Sequence, residues 1–191
     1  MDTPGFDDTH KHNTRILHEI SYLLETIMYD SQDGHGHKRK TKLAGIVYLH
    51  DISLTRMLAP ISMTLGVFQK LCGKNALKHV VLCTTKWSDI SQQEEGESRT
   101  EQLKESHWKG MIEGRSTVRK FKDSQESAWD VIAPIIVGHR TGKMDPLRIQ
   151  EEMVGEKKLI PETEAGRHLK YLLGQLLKSF KHANRYNRIR L

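Results

Sequence analysis

Asp2-Thr3-Pro4-Gly5-Phe6, continued by Asp7-Asp8-Thr9, is the stretch whose residue types and spacing best suit chemistry. An aspartate at the carboxyl end of a strand can face a magnesium ion through a bound water, because hard cations take oxygen ligands. Gly5, three residues on, lets a backbone N–H approach a terminal phosphate with no side chain in the way. The same residues also fit a proline–glycine turn whose acidic side chains cap the next helix. His10, His12, His35 and His37 offer imidazoles, but two-residue spacing in glycine-rich loops fits no metal-ligand template, and they read as solvated. No Ser/His/Asp or Cys/His arrangement points to another enzyme.

Elements that could position such residues follow from periodicity. Residues 13–28 carry Ile16, Ile20, Leu23, Leu24 and Ile27 on one face, the pattern of an amphipathic helix. A polar loop, 31–42, holds Gly34, Gly36 and the cluster Lys38-Arg39-Lys40. Residues 43–50 and 79–84 are short β-branched apolar runs suited to interior strands of a parallel sheet, and 116–121 reads as a weaker strand. Helices are expected over 62–72, closed by Gly73, over 98–113, closed by Gly114, and over 127–137. Helix–strand–helix–strand–helix–strand–helix is a doubly wound α/β order, here with only three strands and opening on a turn instead of a strand. After Gly142 the pattern becomes helical, over 144–154 and 163–186, the latter striped with Leu169, Leu172, Leu173, Leu176, Leu177 and Phe180. That stripe suits packing on the domain's own surface. The division is thus residues 1–140, an α/β domain, and 141–191, a helical extension with a basic tail.

Taken together, the DTPGFDDT segment, the strand GIVYLHDIS with Arg56-Met57 after it, FQKLCG, ALKHVVLCTTKW and the later ESA and IQEEMV resemble the fungal G domain-containing proteins. These are P-loop GTPases, similar in switch II to immune-associated GTPases and septins. The resemblance runs from residue 2 to about residue 166. It implies a nucleotide site in which Asp2, Thr3, Pro4 and Gly5 form switch II, with Asp2 holding Mg2+ through water. It also implies a guanine-reading segment at Thr85-Lys86, where the lysine stem lies along the base and a carboxylate accepts two hydrogen bonds from guanine N–H groups. Ser88 stands where that carboxylate is expected, and Asp89 follows one residue late. Ser127-Ala128 occupies the place of a third base-facing element, whose small residues allow close backbone approach.

No G-x-x-x-x-G-K-[ST] occurs in the sequence, so the N–H cradle and lysine for the phosphates are missing. Phe6 follows Gly5 where small GTPases carry a water-orienting glutamine. The expectation is therefore the C-terminal portion of a G domain, an incomplete P-loop NTPase-type doubly wound sheet truncated at its start. GTP or GDP with Mg2+ would bind weakly if at all, and hydrolysis would be lost. The alternative is a non-enzymatic module docking on a protein, an anionic membrane or nucleic acid; a homodimer is also open. The charge supports that alternative by its placement: of a net +6, seven basic residues and no acidic one lie from Arg167 onward. A solvated helix end would carry the same charges, since cations complement the helix dipole there. Cys72 and Cys83 sit in apolar surroundings without metal-ligand spacing, and no signal segment or membrane-length apolar run is present, which suggests a reduced, cytoplasmic chain.

Overall fold

A computed structural model describes residues 18–19, 21–22, 43–55, 59–141 and 145–189, with backbone alone for 59–61, 139–141, 176–177 and 179–189. Asp2, Thr3, Pro4 and Gly5, the histidines at 10, 12, 35 and 37, and Arg56-Met57 lie outside the described residues. Of the helix expected over 13–28, His18, Glu19, Ser21 and Tyr22 are described, and they are helical.

Strands β1 (Ile46–Asp51), β2 (Val80–Thr85) and β3 (Thr117–Lys120) form a parallel sheet in the order β1-β2-β3. Ile46 lies opposite Val80 and Asp51 opposite Thr85, while Val81 faces Thr117 and Thr84 faces Lys120. Alternation along the strands sends Ile46, Tyr48, Val80 and Leu82 to one side and Val47, Val81 and Cys83 to the other. Both sides are covered, so β2 is apolar from Val80 to Cys83 and all but its last residue, Thr85, are buried.

On the first side lie α1 (Ala59–Cys72), α2 (Gln93–Glu105) and α3 (Lys109–Glu113), which contribute Leu65, Phe68, Leu71, Leu103 and Met111 to one core. Two crossovers that step the same way across a sheet must share a face if both are right-handed. Tyr48 meets Phe68 with ring centroids 5.0 Å apart, and the fully buried Trp108 meets the His50 ring edge-on at 5.8 Å. On the second side α4 (Gln125–Thr141) packs Val131 and Ile135 against Val47, Val81 and Cys83. Both cysteines are free and buried, and burial pushes the Cys83 thiol up to about 11 and Cys72 higher still.

The chain after residue 144 packs back on the same core. Leu147, Ile149, Ala165 and Leu169 join it, the last two from α5 (Glu164–Ile189), which lies along α1. Burying a leucine is worth about 1.5–3 kcal/mol, so this seam alone is a substantial share of marginal domain stability. Among the described residues, no helix is long and apolar enough to cross a membrane.

Two expected helices differ in the structure. That of 98–113 begins earlier, at Gln93, with Glu94 and Glu95 complementing the dipole of its first turn, and breaks at Ser106–Trp108. The break turns the Trp108 ring into the core, with the Trp108 N–H donating to the Leu103 carbonyl at 2.8 Å. That of 144–154 is only a short piece, Arg148–Gln150, running into a π-type turn, Glu151–Gly155. Its cause is Glu152, whose carboxylate is fully buried. It accepts from the Glu164 N–H (3.0 and 3.2 Å to its two oxygens) and from Lys158 Nζ (3.1 Å), with Arg148 Nη2 at 3.7 Å. A carboxylate at the first residue of α5 satisfies a free donor there and complements the helix dipole.

Candidate functional site

Because the three strands run parallel, their carboxyl ends meet at one edge, the usual place for a ligand in an open α/β sheet. The edge is stitched together locally. Ile52 N–H donates to the Thr85 carbonyl (3.1 Å), Thr85 Oγ1 donates to the His50 carbonyl (3.2 Å), and Phe121 N–H donates to the Thr84 carbonyl (2.8 Å). Thr85 therefore ties β2 to β1 and leaves its hydroxyl facing the neighbouring strand.

Lys86, next along, is left-handed (φ 60°, ψ 41°), and this turns the chain out of β2 into a single 3₁₀ turn, Trp87–Asp89. The Asp89 N–H closes that turn on the Lys86 carbonyl at 3.2 Å, which brings Asp89 back beside Lys86. Trp87 is the anchor. Its indole N–H is shared between the Thr84 carbonyl (3.2 Å) and Thr84 Oγ1 (3.1 Å), and its ring packs on Gly96 of α2 so closely that a Cβ there would lie 2.7 Å from it. Lys120 and Lys122 from the end of β3 hold their ammonium groups 5.3 and 5.6 Å from the ring centroid.

Two carboxylates stand at this edge. Asp51 accepts from the Ser53 N–H (2.9 Å) and hydroxyl (2.6 Å) in a tight local turn, and Lys86 Nζ lies 4.0 Å from it. Lys86 is 58% exposed, so this ion pair orients the side chain and contributes at most about 1 kcal/mol. Asp89 is exposed and accepts from the Ser88 hydroxyl at 3.1 Å, its other oxygen facing solvent.

Ser127 sits in the adjoining turn between β3 and α4. Its hydroxyl accepts from the Lys122 N–H (3.0 Å) and donates to the Ser124 carbonyl (2.9 Å), while the Ala128 N–H donates to that same carbonyl (3.0 Å). Both groups are spent on the turn, so what the pair offers a ligand is a small, close-lying surface.

The structure thus brings Thr85, Lys86 and Asp89 onto one loop and sets the Ser127–Ala128 turn at the same edge. Two residues at this edge escape sequence reasoning, Asp51 and Trp87. A signal existed for Asp51, a carboxylate at a strand end two residues before a serine. Trp87 filled a motif position where any residue is allowed. Among the described residues no three His, Cys, Asp or Glu side chains gather as a metal site, and Asp2, expected to face Mg2+, lies outside them. No protein-family model, curated protein or solved structure matches this chain.

Proposed function

We propose that the chain is a guanine-nucleotide-binding protein of the P-loop GTPase type, with the carboxyl-edge loop after β2 as its base site. The observation that carries this is Asp89: among the described residues its exposed carboxylate has only the Ser88 hydroxyl as partner, and it stands beside Lys86 at the end of the central strand. A carboxylate so placed can accept from guanine N1–H and N2–H together, while the Lys86 stem lies along the base. Adenine presents no such pair of donors, and a site built for two hydrogen bonds rejects a ligand that leaves them unmade. The one-residue delay of Asp89 relative to Ser88 is offset by the 3₁₀ turn, which folds Asp89 back toward Lys86. The order of the sheet and the helices on its two faces are compatible with the C-terminal strands of a G domain.

Asp2 would hold Mg2+ through water and Gly5 would approach the terminal phosphate. The phosphate-gripping G-x-x-x-x-G-K-[ST] does not occur among the 191 residues, so base contacts carry the binding. The expected affinity is weak, a Kd of about 1 mM or above, equivalent to about 4 kcal/mol or less, and hydrolysis is not expected. Amide chemical-shift mapping with GDP and ADP at millimolar concentration, with Mg2+, tests the reading. Shifts at Lys86, Trp87 and Asp89 with GDP, smaller ones with ADP, and their loss in D89N are expected. Equal responses to GDP and ADP, or none at these residues, would sink the base-site assignment. Calorimetry giving a submillimolar Kd would instead overturn the role assigned to the missing phosphate loop.

A further inference from the structure

A second surface, independent of the nucleotide reading, lies on α5. One side of this helix is committed to the core through Ala165 and Leu169. Arg167, Lys170, Tyr171, Gly174 and Lys178 recur at three- and four-residue intervals, which places them on a single stripe away from that core. With Gln175 they line an open groove of about 340 Å³. Gly174 forms its floor, where even an added Cβ would meet nothing within 4 Å.

Several cations elsewhere are paired with carboxylates. Lys78 pairs with Asp145, Lys104 with Glu101, Lys120 with Glu97, and Arg148 with several glutamates. Arg167, Lys170 and Lys178 form no ion pair among the described residues; Arg167 donates one N–H to the Glu162 carbonyl at 2.8 Å and keeps its other donors. The same spacing continues along the helix backbone through Lys181, Arg185 and Arg188, and no acidic residue follows Glu164. From Arg167 to Arg188 the stripe is about 32 Å long at 1.5 Å per residue. Tyr171, 61% exposed, stands between two of the cations.

We infer that this face binds single-stranded nucleic acid through its phosphodiester backbone, with Tyr171 as a stacking platform for a base. Charge complementarity selects a polyanion, and unneutralised cations in a row match a chain of phosphates more closely than one small anion. Strong binding to an anionic bilayer is favoured by an apolar face that inserts, whereas Ala165 and Leu169 of α5 are packed on the core. Basic grooves interleaved with an exposed aromatic are the general pattern of sequence-tolerant strand binding.

Fluorescence anisotropy of the full chain with a labelled oligo(U) 20-mer tests this. About five neutralised phosphates predict an affinity loss of roughly 100-fold between 50 and 200 mM salt. The triple variant R167A/K170A/K178A is expected to weaken binding more than tenfold and to flatten the salt dependence by about 2 in log–log slope. Y171A should lower affinity about fivefold or more and leave that slope unchanged. A control triple K74A/K104A/K109A should bind like the unmodified chain. Unfolding midpoints equal to the parent's show that the exposed substitutions leave the fold intact. Salt-independent binding, or a triple variant that binds as the parent does, would overturn the inference. So would retention on vesicles containing phosphatidylserine without any affinity for the oligonucleotide.

Discussion

Replacing Glu152 by Gln tests whether a buried carboxylate fixes the start of α5. The substitution keeps the volume and one acceptor oxygen while removing the charge. At full burial that carboxylate serves the Glu164 N–H and Lys158 Nζ, with Arg148 nearby. The amide oxygen can keep the bond to Glu164 N–H. Placed at the Oε1 position it also reaches Lys158 Nζ but sets the NH2 against the Glu164 N–H, and flipped it sets the NH2 against Lys158, so in either orientation one bond to the ionised carboxylate, worth about 1.5–3 kcal/mol, is lost. Loss of an anion at a helix N-terminus adds about 0.3–1 kcal/mol. Lys158 and Arg148 are partly exposed and have Glu156 as a second partner, so neither is left stranded. The expected cost is therefore about 2–4 kcal/mol, short of the figure for a buried charge left without any partner. Urea denaturation measures it through the transition midpoint at constant slope. Hydrogen exchange should show protection lost first at Glu164 and the turn of α5 that follows. A midpoint within about 0.5 kcal/mol of the parent, or exchange spread evenly over the sheet, would refute the assignment.

Three further outcomes follow from local geometry. Gly73, at φ 71° and ψ 162°, occupies a region essentially closed to other residues, and a Cβ there would lie 2.5 Å from that of Arg148. G73A should cost about 2–4 kcal/mol in urea denaturation, whereas G110A, with open space around it, should cost nothing or stabilise by up to about 1 kcal/mol. His79 and His168 both titrate below their ordinary 6.5, through burial and then through Lys78 and Lys70 respectively, with Asp145 partly opposing at His79. The fold favours their neutral forms, so stability should hold above pH 6.5 and fall as the pH drops below it; H79N/H168N should flatten the dependence of the urea midpoint on pH. Both thiols are buried and raised, so Cys72 and Cys83 should resist Ellman's reagent at pH 8 and react together only on unfolding; fast labelling of the native chain would contradict this.

Much of the α/β order is legible in the sequence because interior parallel strands must be apolar on both faces. Residues 79–84 therefore differ from β2 by a single position at each end. The strand read at 43–50 begins three residues late, at Ile46, because its pairing starts opposite Val80, the first residue of β2, and that register is set by a distant segment. The break at Ser106–Trp108 leaves no local mark either, since burial of the Trp108 ring decides it. In the π-type turn, Glu152 reads as an ordinary surface residue of an amphipathic stretch, and only the approach of Glu164 and Lys158 shows why it is inside. At the carboxyl edge, Lys86, Asp89 and Ser127 could be named from motif order. Asp51 carried a signal of its own, a carboxylate at a strand end two residues before a serine, whereas Trp87 could not be named, because its role comes from the space beside Gly96.

Strand β2 is bonded along both of its edges and covered on both of its faces. Its amides should be among the last to exchange, opening only when the whole domain does. The turn bearing Lys86 and Asp89 is hung from this strand and pinned beneath by the Trp87 indole, so its backbone has little freedom to adapt. Whatever it meets must be accommodated by rotation of two exposed side chains about fixed anchor points. Such a loop discriminates by geometry set in advance, and evolution could retune it by exchanging those side chains without disturbing the sheet.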